Sequence, residues 1–211
     1  MNTRVKGFIY LLLSAVYFGF MPLLVKVICA DGSTIVGALF LRFALAIIPL
    51  YIYLKVRKVP TELSVEEGKK ILCVTVFGYG ITALLLYSAY DYMPSGMATV
   101  IHFGYPVFVL LGSLIFLRRR VPKLKIVGLC MIGIFLSYAG SGGEAKPMGF
   151  VFALISGMTY AFYILYLEVG GLQDIPAMKM IFYMNTVGSI MVFLIGKVSG
   201  SFVLHMNINA W

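Results

Sequence analysis

Residues 7–30, GFIYLLLSAVYFGFMPLLVKVICA, and residues 149–172, GFVFALISGMTYAFYILYLEVGGL, can be laid over one another without a gap. An offset of 142 positions places Gly7, Phe8, Leu12, Ser14, Phe20, Leu23 and Val27 on Gly149, Phe150, Leu154, Ser156, Phe162, Leu165 and Val169. The register persists through the next apolar stretch, with Phe40, Ile48 and Lys55 on Phe182, Ile190 and Lys197. Apolar segments share identities by chance, so the weight rests on the unbroken run through two spans and the loop between them. Residues 7–55 and 149–197 therefore read as two copies of one unit. An internal repeat inside a polytopic membrane protein is the usual mark of a secondary transporter.

The class follows from composition. At 61% hydrophobic and 12% charged residues, with a mean hydropathy of +0.98, the chain has too little polar surface to coat a soluble globule. A bilayer core needs about 20 apolar residues per helix. Seven stretches qualify: 8–28, 34–55, 71–90, 96–117, 124–140, 148–167 and 177–196. The fifth is short, and Pro147 marks a natural start for the sixth. None alternates apolar and polar residues as a barrel strand would. The fold class is an all-α polytopic membrane protein. Arg4 and Lys6 precede the first apolar run as in a signal peptide, but the run is longer than a signal core and the chain inserts again at once. Cys29, Cys73 and Cys130 are odd in number, have no metal-like spacing, and read as small apolar fillers.

The net charge of +9 is distributed by topology and does not point to nucleic acid. Arg4 and Lys6 precede span one; Lys55, Arg57, Lys58, Lys69 and Lys70 lie between spans two and three; Arg118, Arg119, Arg120, Lys123 and Lys125 lie between spans four and five. By the positive-inside rule these alternate loops face the cytoplasm, as does the N-terminus. The loop from Glu168 to Pro176 runs against the pattern, with Glu168, Asp174 and no basic residue before Lys179. Early helices usually set orientation, so the assignment stands.

Spans one and six are separated by five crossings, so they enter from opposite sides and the repeat is inverted. Inverted repeats place a substrate site near the midplane between the halves. The expected organisation is a first five-helix repeat over residues 1–141 and a second, inverted repeat over 142–211 that stops after two helices. The simplest expectation is a truncated ten-helix (5+5) protein. Its partners would be the lipid bilayer, a small-molecule substrate, and either a second copy of the chain or a missing C-terminal half.

A family resemblance rests on particular residues. Leu84-Leu-Leu-Tyr-Ser-Ala-Tyr-Asp-Tyr-Met-Pro-Ser-Gly-Met-Ala-Thr-Val-Ile leads into Pro106-Val-Phe-Val-Leu-Leu-Gly-Ser-Leu-Ile-Phe-Leu117, and Gly128-Leu-Cys-Met-Ile-Gly-Ile-Phe-Leu-Ser-Tyr-Ala-Gly140 follows. These resemble helices three to five of the EamA-type branch of the drug/metabolite transporter superfamily. Tyr17-Phe-Gly with Lys26 resembles its first helix, and Leu41-Arg42-Phe43 its second. The resemblance implies ten helices in two inverted repeats and export or exchange of small metabolites, amino acids among them. Two departures stand out: Arg118-Arg119-Arg120 replaces the family's frequent acidic residue after helix four, and the last three helices are absent.

Arg42 lies eight residues into span two, about 12 Å from its outer end. An unpaired cation there costs several kcal/mol, so it should face a cavity or a partner. It reads either as an anchor for an anionic substrate group or as a packing lock onto carbonyls or an acid. His102, beside Phe103, Gly104, Tyr105 and Pro106, reads as a neutral imidazole bonded to a neighbouring helix, with a proton relay as the sharper alternative. Mid-span tyrosines need partners for their hydroxyls, which a wet cavity supplies. Tyr79, Tyr87 and Tyr105 are therefore candidate cavity-lining groups; Tyr17 and Tyr160 complete the set. Lys26 snorkels to the interface, where it can meet Asp91. Gly149, Ala153 and Gly157 allow close helix approach, as do Gly128 and Gly133. Pro49 and Pro106 each leave a carbonyl without its helical partner, and Pro106, beside Gly104, is the expected hinge.

No phosphate-cradling Gly loop, paired intramembrane carboxylates or metal-spaced His/Cys cluster occurs. Neither an enzyme nor a bound cofactor or metal is expected. A retinal protein needs a lysine buried within the last helix, whereas Lys179 and Lys197 sit at its two ends. The reading is a multi-pass cell-membrane carrier, with a non-transporting remnant or scaffold as the competitor.

Overall fold

The computed structural model describes residues 3–118 and 146–204. The described residues form α1 (Thr3–Ala30), α2 (Ile35–Val56), α3 (Val65–Cys73), a π-helical segment (Val74–Gly80), α4 (Ile81–Ala89), α5 (Ser95–His102), α6 (Tyr105–Ile115), α7 (Pro147–Val169) and α8 (Ala177–Val198). No strand forms among them. Because α3, the π-helical segment and α4 run end to end, and α5 and α6 nearly so, they make six helical spans long and apolar enough to cross a membrane. The expected fifth span, 124–140, lies outside the described residues, as do Gly128, Gly133 and Cys130.

Local chemistry sets the helix ends. Thr34 caps α2, its Oγ1 accepting from the Gly37 amide at 3.2 Å. Ser64 and Glu67 form a reciprocal capping box before α3 that satisfies two otherwise orphaned donors. Span three consequently begins at Val65, not at residue 71, because the capped polar turn Val65–Lys70 continues into the apolar run. Pro147 opens α7 as expected. Pro22 and Pro49 both lie inside unbroken helices.

The end of α2 carries a backbone cost. The Val59 amide reaches back to the Leu54 carbonyl at 3.0 Å, and Lys58 takes φ 51°, a left-handed position where glycine is favoured. Lys58→Gly is expected to raise thermal stability by about 0.5–1 kcal/mol. An unchanged or lowered melting temperature in detergent would contradict this.

Packing pairs particular helices. α2 and α8 run antiparallel: Phe40 meets Phe193 at 5.8 Å between ring centroids and Tyr51 meets Phe182 at 6.1 Å. Between them, a Cβ on Gly188 would touch the Phe43 ring at 3.2 Å. α7 is antiparallel to span three, with Thr82 on Thr159 and Tyr92 on Phe152. It is parallel to α5 and α6, with His102 on Ser156 and Tyr105 on Tyr160. Both ends of the α2–α8 pair are tied. At one end Thr34 donates to the Ser201 carbonyl at 2.7 Å, and its amide bonds Val203 at 3.0 Å. At the other, Lys179 and Tyr183 donate to the Glu62 and Thr61 carbonyls.

The outer surface remains apolar: Phe8 and Ile48 are each 62% exposed. A bilayer accepts such a surface, whereas water does not. The apolar spans make this a multi-pass membrane protein.

Candidate functional site

Arg42 lines a cavity of about 490 Å³ between α1, α2, span three and α8. Tyr53, Tyr79, Asn185, Met21 and Met178 are among its lining. Arg42 Nη1 donates to the Tyr87 hydroxyl at 3.3 Å, and Tyr87 donates onward to the Met21 sulfur at 3.6 Å. The guanidinium also lies 5.6 Å from the Phe43 ring centroid and 5.7 Å from that of Tyr87. Such cation–π contacts offset part of the loss of hydration. Lys70 pairs with Glu66 at 3.0 Å at the start of α3, away from Arg42.

The π-helical segment positions Tyr79. Its wider turn is held at the start by buried Thr75, whose hydroxyl donates to Ile71 at 2.6 Å. Tyr79 thereby packs with tilted rings against Phe43, at 5.3 Å between centroids, and Tyr163, at 6.0 Å. The aromatic row continues through Tyr160, 5.4 Å from Tyr163, to Tyr105, 4.7 Å from Tyr160. π-Helical insertions recur at functional sites because they re-aim side chains within a helix.

His102 joins the far end of this row, 5.3 Å from the Tyr160 ring. Its Nδ1 lies 2.9 Å from Ser156 Oγ, and that hydroxyl donates its own hydrogen to Ala153 at 2.6 Å. With the hydroxyl hydrogen spent, Nδ1 must be the donor, so the imidazole carries Nδ1–H and bonds a neighbouring helix. The Thr159 hydroxyl donates to the Ser156 carbonyl at 3.1 Å and accepts from Thr82 at 2.6 Å. Serine and threonine bonds of this kind join membrane helices.

Span four breaks beside Pro106. α5 ends at His102 and α6 begins at Tyr105, with Phe103 and Gly104 between them. Pro106 cannot donate to the His102 carbonyl four residues back. That oxygen instead lies against α7, 3.3 Å from where a Cβ on Gly157 would stand.

Six expected site residues, Arg42, Tyr79, Tyr87, His102, Tyr105 and Tyr160, are thus joined by one chain of side-chain contacts through Phe43 and Tyr163, and of these Arg42 and Tyr79 line the cavity. Tyr17 stands apart, 74% exposed on α1. Lys26 is exposed and, among the described residues, does not pair with Asp91; burial pushes the Asp91 carboxyl above the usual carboxylate range. Asn185, Ser156 and Tyr163 were not among the expected site residues. Each carries a trace in the sequence: an amide inside an apolar span, a serine repeated from Ser14, and a tyrosine one turn from Tyr160.

Three comparisons bear on this arrangement. The family model described as the EamA-like transporter family matches residues 5–139. An uncharacterized transporter of Archaeoglobus fulgidus is 27% identical over 158 residues, covering 75% of this chain and 56% of that protein. The uncharacterized transporter YvbV of Bacillus subtilis is 28% identical over 135 residues, covering 63% of this chain and 42% of its own length. A third, from Clostridium kluyveri, is 23% identical over 171 residues, with 75% and 54% covered. The chain spans about half the length of these curated relatives. No solved structure matches it.

Proposed function

Because the chain belongs to the EamA-like transporter family, we propose that it builds one side of a secondary carrier, not an enzyme, that exports or exchanges small metabolites by alternating access. The observation that carries this reading is the Arg42 cavity, whose wall draws on α2 from residues 1–141 and on α8 from residues 142–211. The antiparallel pairing of α2 with α8, equivalent under the 142-residue offset, supports an inverted repeat. Parallel α6 and α7 put Ile115 and Pro147 at opposite ends of the bundle. A second copy of the chain or a C-terminal half would complete the cavity wall. The N-terminus faces the cytoplasm, and the two halves rock about the cavity with Pro106 as a hinge.

Ala46 lines the cavity and provides a probe. With Cys29, Cys73 and Cys130 replaced by serine, Ala46→Cys is expected to react with a membrane-impermeant maleimide added to either face of sealed vesicles. Labelling from one face only, or from neither, would favour a scaffold over a carrier.

A further inference from the structure

We infer that the Arg42 cavity takes organic monocarboxylates with an apolar or aromatic body, in preference to amino acids and organic cations. This rests on the cavity being the carrier's binding site, and its basis is charge balance. Among the described residues the cavity is lined by one charged group, Arg42; the rest of its polar lining is the amide of Asn185 and the hydroxyls of Tyr53 and Tyr79. An uncompensated charge at membrane depth costs several kcal/mol. A monoanion brings the site to neutrality. A zwitterion leaves one positive charge and adds an ammonium for which the lining has no carboxylate. A cation doubles the charge.

Geometry favours the same group. The rings of Phe43 and Tyr87 lie within 5.7 Å of the guanidinium carbon, and Nη1 is engaged by Tyr87. A guanidinium presents its donors in a planar fork that a carboxylate matches with two parallel bonds. Met21, Leu50, Met178 and Ile181 supply apolar wall for the body of the molecule. The volume of about 490 Å³ falls within the roughly 300–1,000 Å³ of small-molecule sites.

The test compares three probes of matched shape: 3-phenylpropanoate, phenylalanine and 2-phenylethylamine. Each is titrated calorimetrically into the full-length protein in lipid nanodiscs. 3-Phenylpropanoate is expected to bind at least tenfold more tightly than the other two. Arg42→Gln should weaken it at least tenfold, and Arg42→Lys should recover only part of that loss, because the ammonium keeps the charge without the fork. Phenylalanine binding equally well, an unchanged affinity in Arg42→Gln, or no binding of 3-phenylpropanoate would each overturn the proposal. The comparison among probes needs no variant, so it decides even if Arg42→Gln does not fold. Two-sided labelling at Ala46→Cys without carboxylate preference would sink the substrate class and leave the carrier. Carboxylate binding with one-sided labelling would do the reverse.

Discussion

Gly78→Leu is expected to abolish the folded bundle in detergent, the largest stability loss of any single change at the site. Gly78 lies in the π-helical segment, where α7 crosses it. A Cβ there would stand 2.8 Å from Tyr163 Cβ and 3.1 Å from Tyr163 Cα. Relief would require moving the α7 backbone itself, because neither atom belongs to a flexible side-chain end. Overpacking of a tight interface costs about 1–3 kcal/mol, occasionally more, and a leucine adds three further carbons. Displacing α7 would also separate Tyr79 from Tyr163 and Thr82 from Thr159, so the aromatic row would go with the packing. Gly68→Ala provides the contrast. It has open space around its Cβ position and lies within α3, so alanine's better helix propensity should stabilise by about 0.5–1 kcal/mol. Thermal unfolding of both variants checks the pair. Equal melting temperatures would show that the close approach at Gly78 is not rigid.

Ser156→Ala is expected to lower stability by about 1–3 kcal/mol, because it leaves a buried imidazole donor without a partner. Ser156 is fully buried and His102 is 2% exposed, so water cannot replace the lost bond. Alanine removes only the hydroxyl oxygen and adds no bulk, so the change is one of chemistry. The matching test is the double variant with His102→Leu: if the two groups act as a pair, removing both should cost less than the sum of the single losses. His102→Asn should retain most of the stability, since an amide N–H can take the place of Nδ1–H. Strict additivity in the cycle would mean that His102 does not depend on Ser156.

These two contacts also mark the limit of reading along the chain. Hydropathy is a local sum, so the four spans Ile35–Val56, Ser95–Ile115, Pro147–Val169 and Ala177–Val198 were legible within a few residues, and the start at Pro147 was legible outright. Span three began earlier than its apolar run because Ser64 and Glu67 cap a polar turn that hydropathy excludes. The candidates Arg42, Tyr79, Tyr87, His102, Tyr105 and Tyr160 were legible because a polar or cationic group inside an apolar span must find a partner. Which partner was not. The choice of Tyr87 for Arg42 depends on how α2 and span three are rotated about their own axes. The choice of Ser156 for His102 depends on the break at Gly104 and on the small residue Gly157 admitting span four to α7. Tyr17 shows the converse: its type suggested a cavity, and the rotation of α1 turned it outward.

The sequence by itself determined that this chain is an apolar helical protein, where its described spans other than the start of span three run, and which residues carry an intramembrane charge or hydroxyl. Each is a property of composition over one or two helical turns. The tertiary structure decided that Arg42 opens onto a cavity while His102 is sealed against a neighbouring helix. It also decided that a π-helical turn aims Tyr79 between them. Those outcomes depend on contacts between residues as far apart in the chain as Phe40 and Phe193 and on glycines that let backbones meet, quantities that no local window contains.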